Sequence, residues 1–85
     1  PGKLRTEILA GTGGAVSAID CHLIARIARL AGAPMDKGAG IDLMHKIGDR
    51  VRAGEPLYRI HADSDTGLRF AADLAAEDAG YRLLS

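Results

Sequence analysis

Three histidines, one cysteine and two glycine-rich segments are the parts of this chain with the residue types to do chemistry. His22, His45 and His61 could carry a proton or hold a metal, but they stand 23 and 16 residues apart (22 to 45, 45 to 61). Zinc sites normally contain at least one close ligand pair, so this spacing predicts no metal centre. His45 shares a period-two face with Ile41 and Leu43 and reads as a satisfied histidine of a sheet core or rim. Cys21 follows Asp20 at a helix start, where the dipole favours thiolate and the neighbouring carboxylate opposes it; with no base beside it, a buried structural cysteine is expected. Gly11-Thr12-Gly13-Gly14 is the one candidate nest for a phosphate. Such a nest works where backbone N–H groups converge at a helix start, usually with a cation, whereas this one opens onto a short strand without a Lys-Ser or Lys-Thr pair. It predicts a turn. Lys37-Gly38-Ala39-Gly40 sets a lysine beside flexible backbone and reads as a loop through which the chain re-enters a sheet. No nucleophile and base stand at a recognisable spacing, so a free-standing enzyme has little support and no catalytic, cofactor-binding or metal-binding residue is assigned.

The elements that must position these residues follow from periodicity and punctuation. Leu4 to Ala10 reads as a strand ending in the glycine turn, and Ala15 to Ile19 as a second short strand. Asp20 caps a helix from Cys21 to Ala31 with an apolar stripe of Leu23, Ile24, Ile27, Ala28, Leu30 and Ala31. Gly32 and Pro34 stop it. Period two over Ile41 to Ile47 predicts a strand, Arg50 to Arg52 a short extended link between two turns, and Leu57 to His61 another strand. A last helix is expected over residues 67–79, capped by Asp65 or Thr66 and ended by Gly80, before a strand from Tyr81 to Leu84. The order is strand, strand, helix, strands, helix, strand, with no repeat or linker to divide residues 1–85 into two domains.

Composition limits the partners. Eighty-five residues and 8.9 kDa make one small domain or a piece of a longer chain. Eleven basic residues balance 11 acidic ones, so there is no field to hold a nucleic acid and no basic stripe for a membrane surface. Arg26, Arg29 and Lys46 read as solvated faces, free to meet another domain in a longer protein. The longest uncharged run, Ile8 to Ile19, falls short of the roughly 20 residues of a spanning helix. A lone cysteine and the absence of a basic-then-apolar leader before residues 3–7 set the expectation of a reducing cytoplasm. Glycine is 11 of 85 residues, nearly twice the usual ~7%, so tight turns are frequent.

Two family resemblances sharpen this. Ile47-Gly48-Asp49-Arg50-Val51 through Leu57 resembles the half-barrel hairpin of biotinyl and lipoyl carrier domains. There, an Asp-Lys pair follows the hairpin, whereas here Ile60-His61-Ala62-Asp63 is followed by Ser64 and the acceptor lysine is missing; Asp36-Lys37 lies before the motif. A stand-alone carrier or interaction module is the rival reading, and it would show a covalent adduct on Lys37 or Lys46.

Over about Thr6 to Tyr81 the chain is closely similar to the C-terminal domain of the thymidine phosphorylase family, including its AMP phosphorylase branch. Four stretches in order carry the likeness: Gly14-Ala15-Val16-Ser17-Ala18-Ile19-Asp20, Ile27-Ala28-Arg29-Leu30-Ala31-Gly32-Ala33-Pro34, Asp36-Lys37-Gly38-Ala39-Gly40-Ile41, and Ile47 through Leu57. The second and third look more like the AMP branch than like the shorter bacterial thymidine enzymes. The resemblance implies an α+β fold of the α/β-hammerhead type, a barrel-sandwich-like set of strands with two helices. It implies a parent glycosyltransferase that phosphorolyses thymidine, uridine or AMP to free base and sugar 1-phosphate, with phosphate as co-substrate and no cofactor. The phosphate- and base-binding residues of that family belong to the preceding domains, so this stretch is expected to be structural, to pack on the parent's catalytic domains and to join a homo-oligomer through the parent. Gly11-Thr12-Gly13-Gly14 departs from the family as a more glycine-rich opening, which bears on where the first strand ends.

Overall fold

A computed structural model describes residues 4–85; the first three residues, with the start of the expected domain and of the leader reading, lie outside the described part. The chain runs β1 (Leu4–Leu9), β2 (Gly14–Ile19), α1 (Cys21–Ala31), β3 (Gly40–Leu43), β4 (Arg50–Val51), β5 (Pro56–Ala62), α2 (Asp65–Glu77) and β6 (Tyr81–Leu84). This is the expected α+β class with two helices. Its strands form two antiparallel three-stranded sheets, ordered β1-β5-β3 and β4-β2-β6.

β5 is the centre of the first sheet, and its composition suits that place. Leu57, Tyr58, Ile60 and Ala62 are all buried, and β-branched and aromatic residues fit a covered pleated surface. Leu4, Thr6 and Ile8 of β1 stand opposite Ala62, Ile60 and Tyr58, so one face of the pair is apolar. Both helices pack on this sheet and on each other. Leu23, Ile27 and Ala31 of α1 and Ala71 and Ala75 of α2 are the residues they bury. Alanine there lets the helices approach closely.

The opposite face is polar, because period two sends Arg5, Glu7, Asp42, Arg59 and His61 the other way. Glu7 receives Arg59 at 2.9 Å.

α1 begins and ends where its residues require. The Asp20 carboxylate accepts the Leu23 N–H at 3.0 Å, and Gly32 takes the positive φ of 124° that closes the C-terminus. Leu30, expected on the buried stripe, is 40% exposed, because the stripe narrows to the i, i+4, i+8 row of Leu23, Ile27 and Ala31.

Three further boundaries differ from expectation. α2 starts at Asp65, two residues earlier than predicted, because Ser64 and not Asp65 or Thr66 is the cap: its hydroxyl accepts the Gly67 N–H at 3.0 Å. The helix stops at Glu77 with Asp78 as C-cap, and Gly80, at φ 86°, makes the turn into β6 instead of ending the helix. β3 ends at Leu43, not at Ile47. Met44 still donates to Leu57 O at 3.0 Å, but His45 O then accepts the Tyr81 hydroxyl and Gly48 donates to Val16 O, which carries the backbone across to the second sheet. The link at Arg50 and Val51 is accordingly a strand, paired with Ala15 and Gly14 of β2.

Candidate functional site

The densest polar cluster surrounds His45. Its Nδ1 lies 3.3 Å from Asp49 Oδ2 and its Nε2 3.0 Å from Glu55 Oε2, so the ring donates to both carboxylates only as imidazolium. Each carboxylate also closes a turn. Asp49 accepts the Lys46 N–H at 2.9 Å, and Glu55 accepts the Arg52 N–H at 2.9 Å. The two turns are copies of one pattern, basic-x-Gly-acidic, in Lys46-Ile47-Gly48-Asp49 and Arg52-Ala53-Gly54-Glu55, each glycine having positive φ (97° and 86°). The Lys46 N–H holds the Asp49 carboxyl below its ordinary value; desolvation opposes it, and the contact with His45 adds to the lowering.

His45 therefore ties two turns together. Both ring nitrogens are engaged by the carboxylates of those turns. The expectation of a satisfied rim histidine holds, although the residue stands on the connection after β3. The repeated turn pattern was the readable signal that Asp49 and Glu55 would meet it.

Two tyrosines fix this cluster to the core. Tyr58 and Tyr81 stack with centroids 5.8 Å apart and planes at 28°. The Tyr81 hydroxyl donates to His45 O at 2.6 Å and the Tyr58 hydroxyl to Ala79 O at 2.8 Å. Burial pushes the Tyr58 phenol far above its usual value and raises Tyr81 as well, so both remain neutral donors.

His61 lies apart from His45. It is buried on β5, its Nε2 is 2.9 Å from Asp42 Oδ2, and its Nδ1 has no hydrogen-bond partner among the described residues. Gly40 stands opposite it across the sheet. Residues 37–42 and His61 line an open hollow of about 250 Å³. The Lys37-Gly38-Ala39-Gly40 segment thus does lead the chain back into a sheet, and Lys37 and Lys46, the two lysines considered for a carrier, lie exposed in separate turns.

The remaining sequence candidates do not converge. His22 is exposed on α1, and among the described residues no three His, Cys, Asp or Glu side chains gather as a metal site would require. Gly11 to Gly13 form the turn, β1 stops at Leu9, and Gly14 already belongs to β2. Cys21, expected to be buried, is exposed. At 100° per residue it stands 200° around the helix from Leu23, off the buried row. Its thiol faces Ile19 O at 3.9 Å. The Arg82 guanidinium pairs with Asp78 at 3.0 Å, and this contact, with the Gly80 N–H, keeps the Asp78 carboxyl low.

Residues 15–82 match the family model described as "Pyrimidine nucleoside phosphorylase C-terminal domain". A "Putative thymidine phosphorylase" of Rhodopseudomonas palustris is 54% identical over 80 residues, 94% of this chain and 16% of that protein. One of the same name from Methylococcus capsulatus is 45% identical over 83 residues, 98% of this chain and 16% of its own length. A "Bifunctional ribose 1,5-bisphosphokinase-thymidine phosphorylase" of Azorhizobium caulinodans is 50% identical over 84 residues, 99% of this chain and 12% of the relative. The chain thus spans about a sixth of the length of the curated relatives it matches. On sequence, element order and the fold they build, the chain belongs to the pyrimidine nucleoside phosphorylase C-terminal domain family.

Proposed function

We propose that this chain is the positioning domain of a cytoplasmic enzyme that phosphorolyses a nucleoside or nucleotide, and that the bond-breaking residues lie in the preceding part of that enzyme. One observation carries the reading: near-complete coverage of this chain by relatives named for thymidine phosphorylase, of which it accounts for only about a sixth. The side-chain geometry supports it, since His45, Asp49, Glu55 and both tyrosines close turns and join the sheets.

In the proposed reaction a phosphate oxygen attacks the anomeric carbon, the bond from that carbon to the base nitrogen breaks, and the base leaves with a proton as the sugar 1-phosphate forms. Phosphate is the co-substrate and no cofactor enters. The domain packs on the catalytic portion of its own chain, and the intact enzyme assembles as a homo-oligomer. The Ala28-to-Pro34 and Asp36-to-Ile41 wording favours AMP beside thymidine and uridine as the substrates to try.

The test is base release by the full-length protein with thymidine, uridine and AMP in turn, with and without inorganic phosphate. The expected result is base and sugar 1-phosphate in equal amounts from at least one substrate, only when phosphate is present. Base release that ignores phosphate, or none from any substrate, contradicts the proposal.

A further inference from the structure

The segment joining the two sheets presents apolar side chains that the domain itself does not cover. Leu43, Met44 and Ile47 are 51%, 38% and 62% exposed within five consecutive residues. Leu43 and Met44 meet Ile19 of β2 in a groove of about 360 Å³, whose other lining residues are His45, Lys46 and Asp49. The other large exposed apolar residues lie on other elements: Leu9 on β1, Leu30 on α1, Met35 in a turn, Phe70 on α2 and Leu84 on β6. Single exposed apolar residues need no explanation, but Leu43 and Met44 at the edge of one groove, with exposed Ile47 three residues further along the same segment, mark a contact surface.

This display is held rigidly. Met44 N donates to Leu57 O, Tyr81 donates to His45 O, Lys46 N donates to Asp49 Oδ2, Gly48 N donates to Val16 O and Asp49 N donates to Lys46 O, all between 2.6 and 3.0 Å. The backbone polar groups are turned inward while the apolar side chains stay out. A segment so fixed loses little further freedom when something covers it, and that lowers the cost of docking.

We infer that the Leu43-Met44-Ile47 surface and its groove seat an apolar patch of the polypeptide that precedes this domain in the full-length protein. The inference rests on the positioning role proposed above and names the face that performs it. The relatives carry about five-sixths of their length outside the matched stretch, so a large surface is tethered to this domain. Tethering gives that surface an effective concentration on the order of millimolar, which a separate copy or another protein does not reach at ordinary levels. Lys46, with no ion pair among the described residues, stands in the lining and suits a carboxylate or carbonyl group at the rim of the docked patch.

The two methionines of this chain make the test internal. Hydrogen peroxide converts accessible methionine to its sulfoxide, and the full-length protein is treated and the two sites read by peptide mass spectrometry. Met35, 87% exposed, serves as the reference for Met44, 38% exposed, a difference that by itself gives only about a twofold gap in rate. The docked face predicts Met44 oxidation at least about tenfold slower than Met35, and Ile47→Glu brings it back to within about threefold while circular dichroism is unchanged. Met44 oxidised within threefold of Met35 in the unaltered protein overturns the inference, and so does protection that survives Ile47→Glu. Protection that grows with protein concentration also overturns it, since the occupant is then a second copy. Base release in the same preparations separates the two readings: activity with an unprotected Met44 removes this face but not the proposed reaction, and protection without activity does the reverse.

Discussion

Tyr58→Ala should remove a large share of this domain's stability at 25 °C. The side chain is fully buried in the middle of the central strand, stacks on Tyr81 and donates its hydroxyl to Ala79 O. Truncating a buried aromatic residue costs about 3–5 kcal/mol, and the lost aromatic pair adds about 0.5–1.5. A chain of this length has about 4–13 kcal/mol in all, at about 0.05–0.15 per residue. The loss, about 3.5–6.5 kcal/mol, therefore equals the whole stability at the low end of that range and about half of it at the high end. Tyr58→Phe keeps the ring and the stack and removes one hydrogen bond, which costs about 1 kcal/mol. Urea denaturation of the three proteins side by side reads the difference as a shift in midpoint. A Tyr58→Ala midpoint close to that of Tyr58→Phe would mean that the ring is not the keystone between the two sheets that its position indicates.

Gly14→Ala is the second large effect, and it comes from backbone geometry. Gly14 opens β2 at φ 152°, and a Cβ there would stand 2.5 Å from Leu84 O and 2.8 Å from Leu84 C. Those are backbone atoms of β6, which cannot swing aside as a long side chain can. Strain at the dihedral contributes about 1–3 kcal/mol and the overlap about 1–3 more, with partial relief if the β2–β6 ladder shifts. Gly48 is the control. It has φ 97° with nothing within 4 Å of its Cβ position, so Gly48→Ala meets only the left-handed penalty of about 1–2 kcal/mol. The midpoint should drop at least twice as far for Gly14→Ala as for Gly48→Ala, and equal drops would show that the close approach of β6 is not constraining. This also gives the glycine-rich opening a physical role, since one of its four residues lies under the backbone of the last strand.

Much of the fold was legible because its signals are local. α1 has a cap, an apolar row and a glycine stop within 13 residues; the cap and the stop act where they were expected, and the row does so at Leu23, Ile27 and Ala31. The end of β3 was not legible, because period two continues through Ile47 while the partners that divert the chain, Tyr81, Val16 and Asp49, lie on other elements or in the next turn. Ser64, Asp65 and Thr66 can all cap a helix, and the choice depended on which side chain reaches a free N–H. The exposure of Cys21 could have been read from its angle to Leu23 and Ile27, and the partners of His45 from the repeated basic-x-Gly-acidic turns. The His61–Asp42 contact has no local signal, since it needs the β3–β5 register. The family likeness was legible because four ordered segments cover most of the chain, and relatives matching at 45–54% identity bear it out.

The central claim is that this domain positions an active site it does not itself supply, and removing it tests that most directly. The full-length protein and a version ending just before residue 4 of this chain are compared for phosphate-dependent base release, thermal midpoint and mass in solution. The account predicts that the shortened protein loses activity together with a lower midpoint or a changed subunit state. Unchanged activity, midpoint and mass in the shortened protein would contradict it.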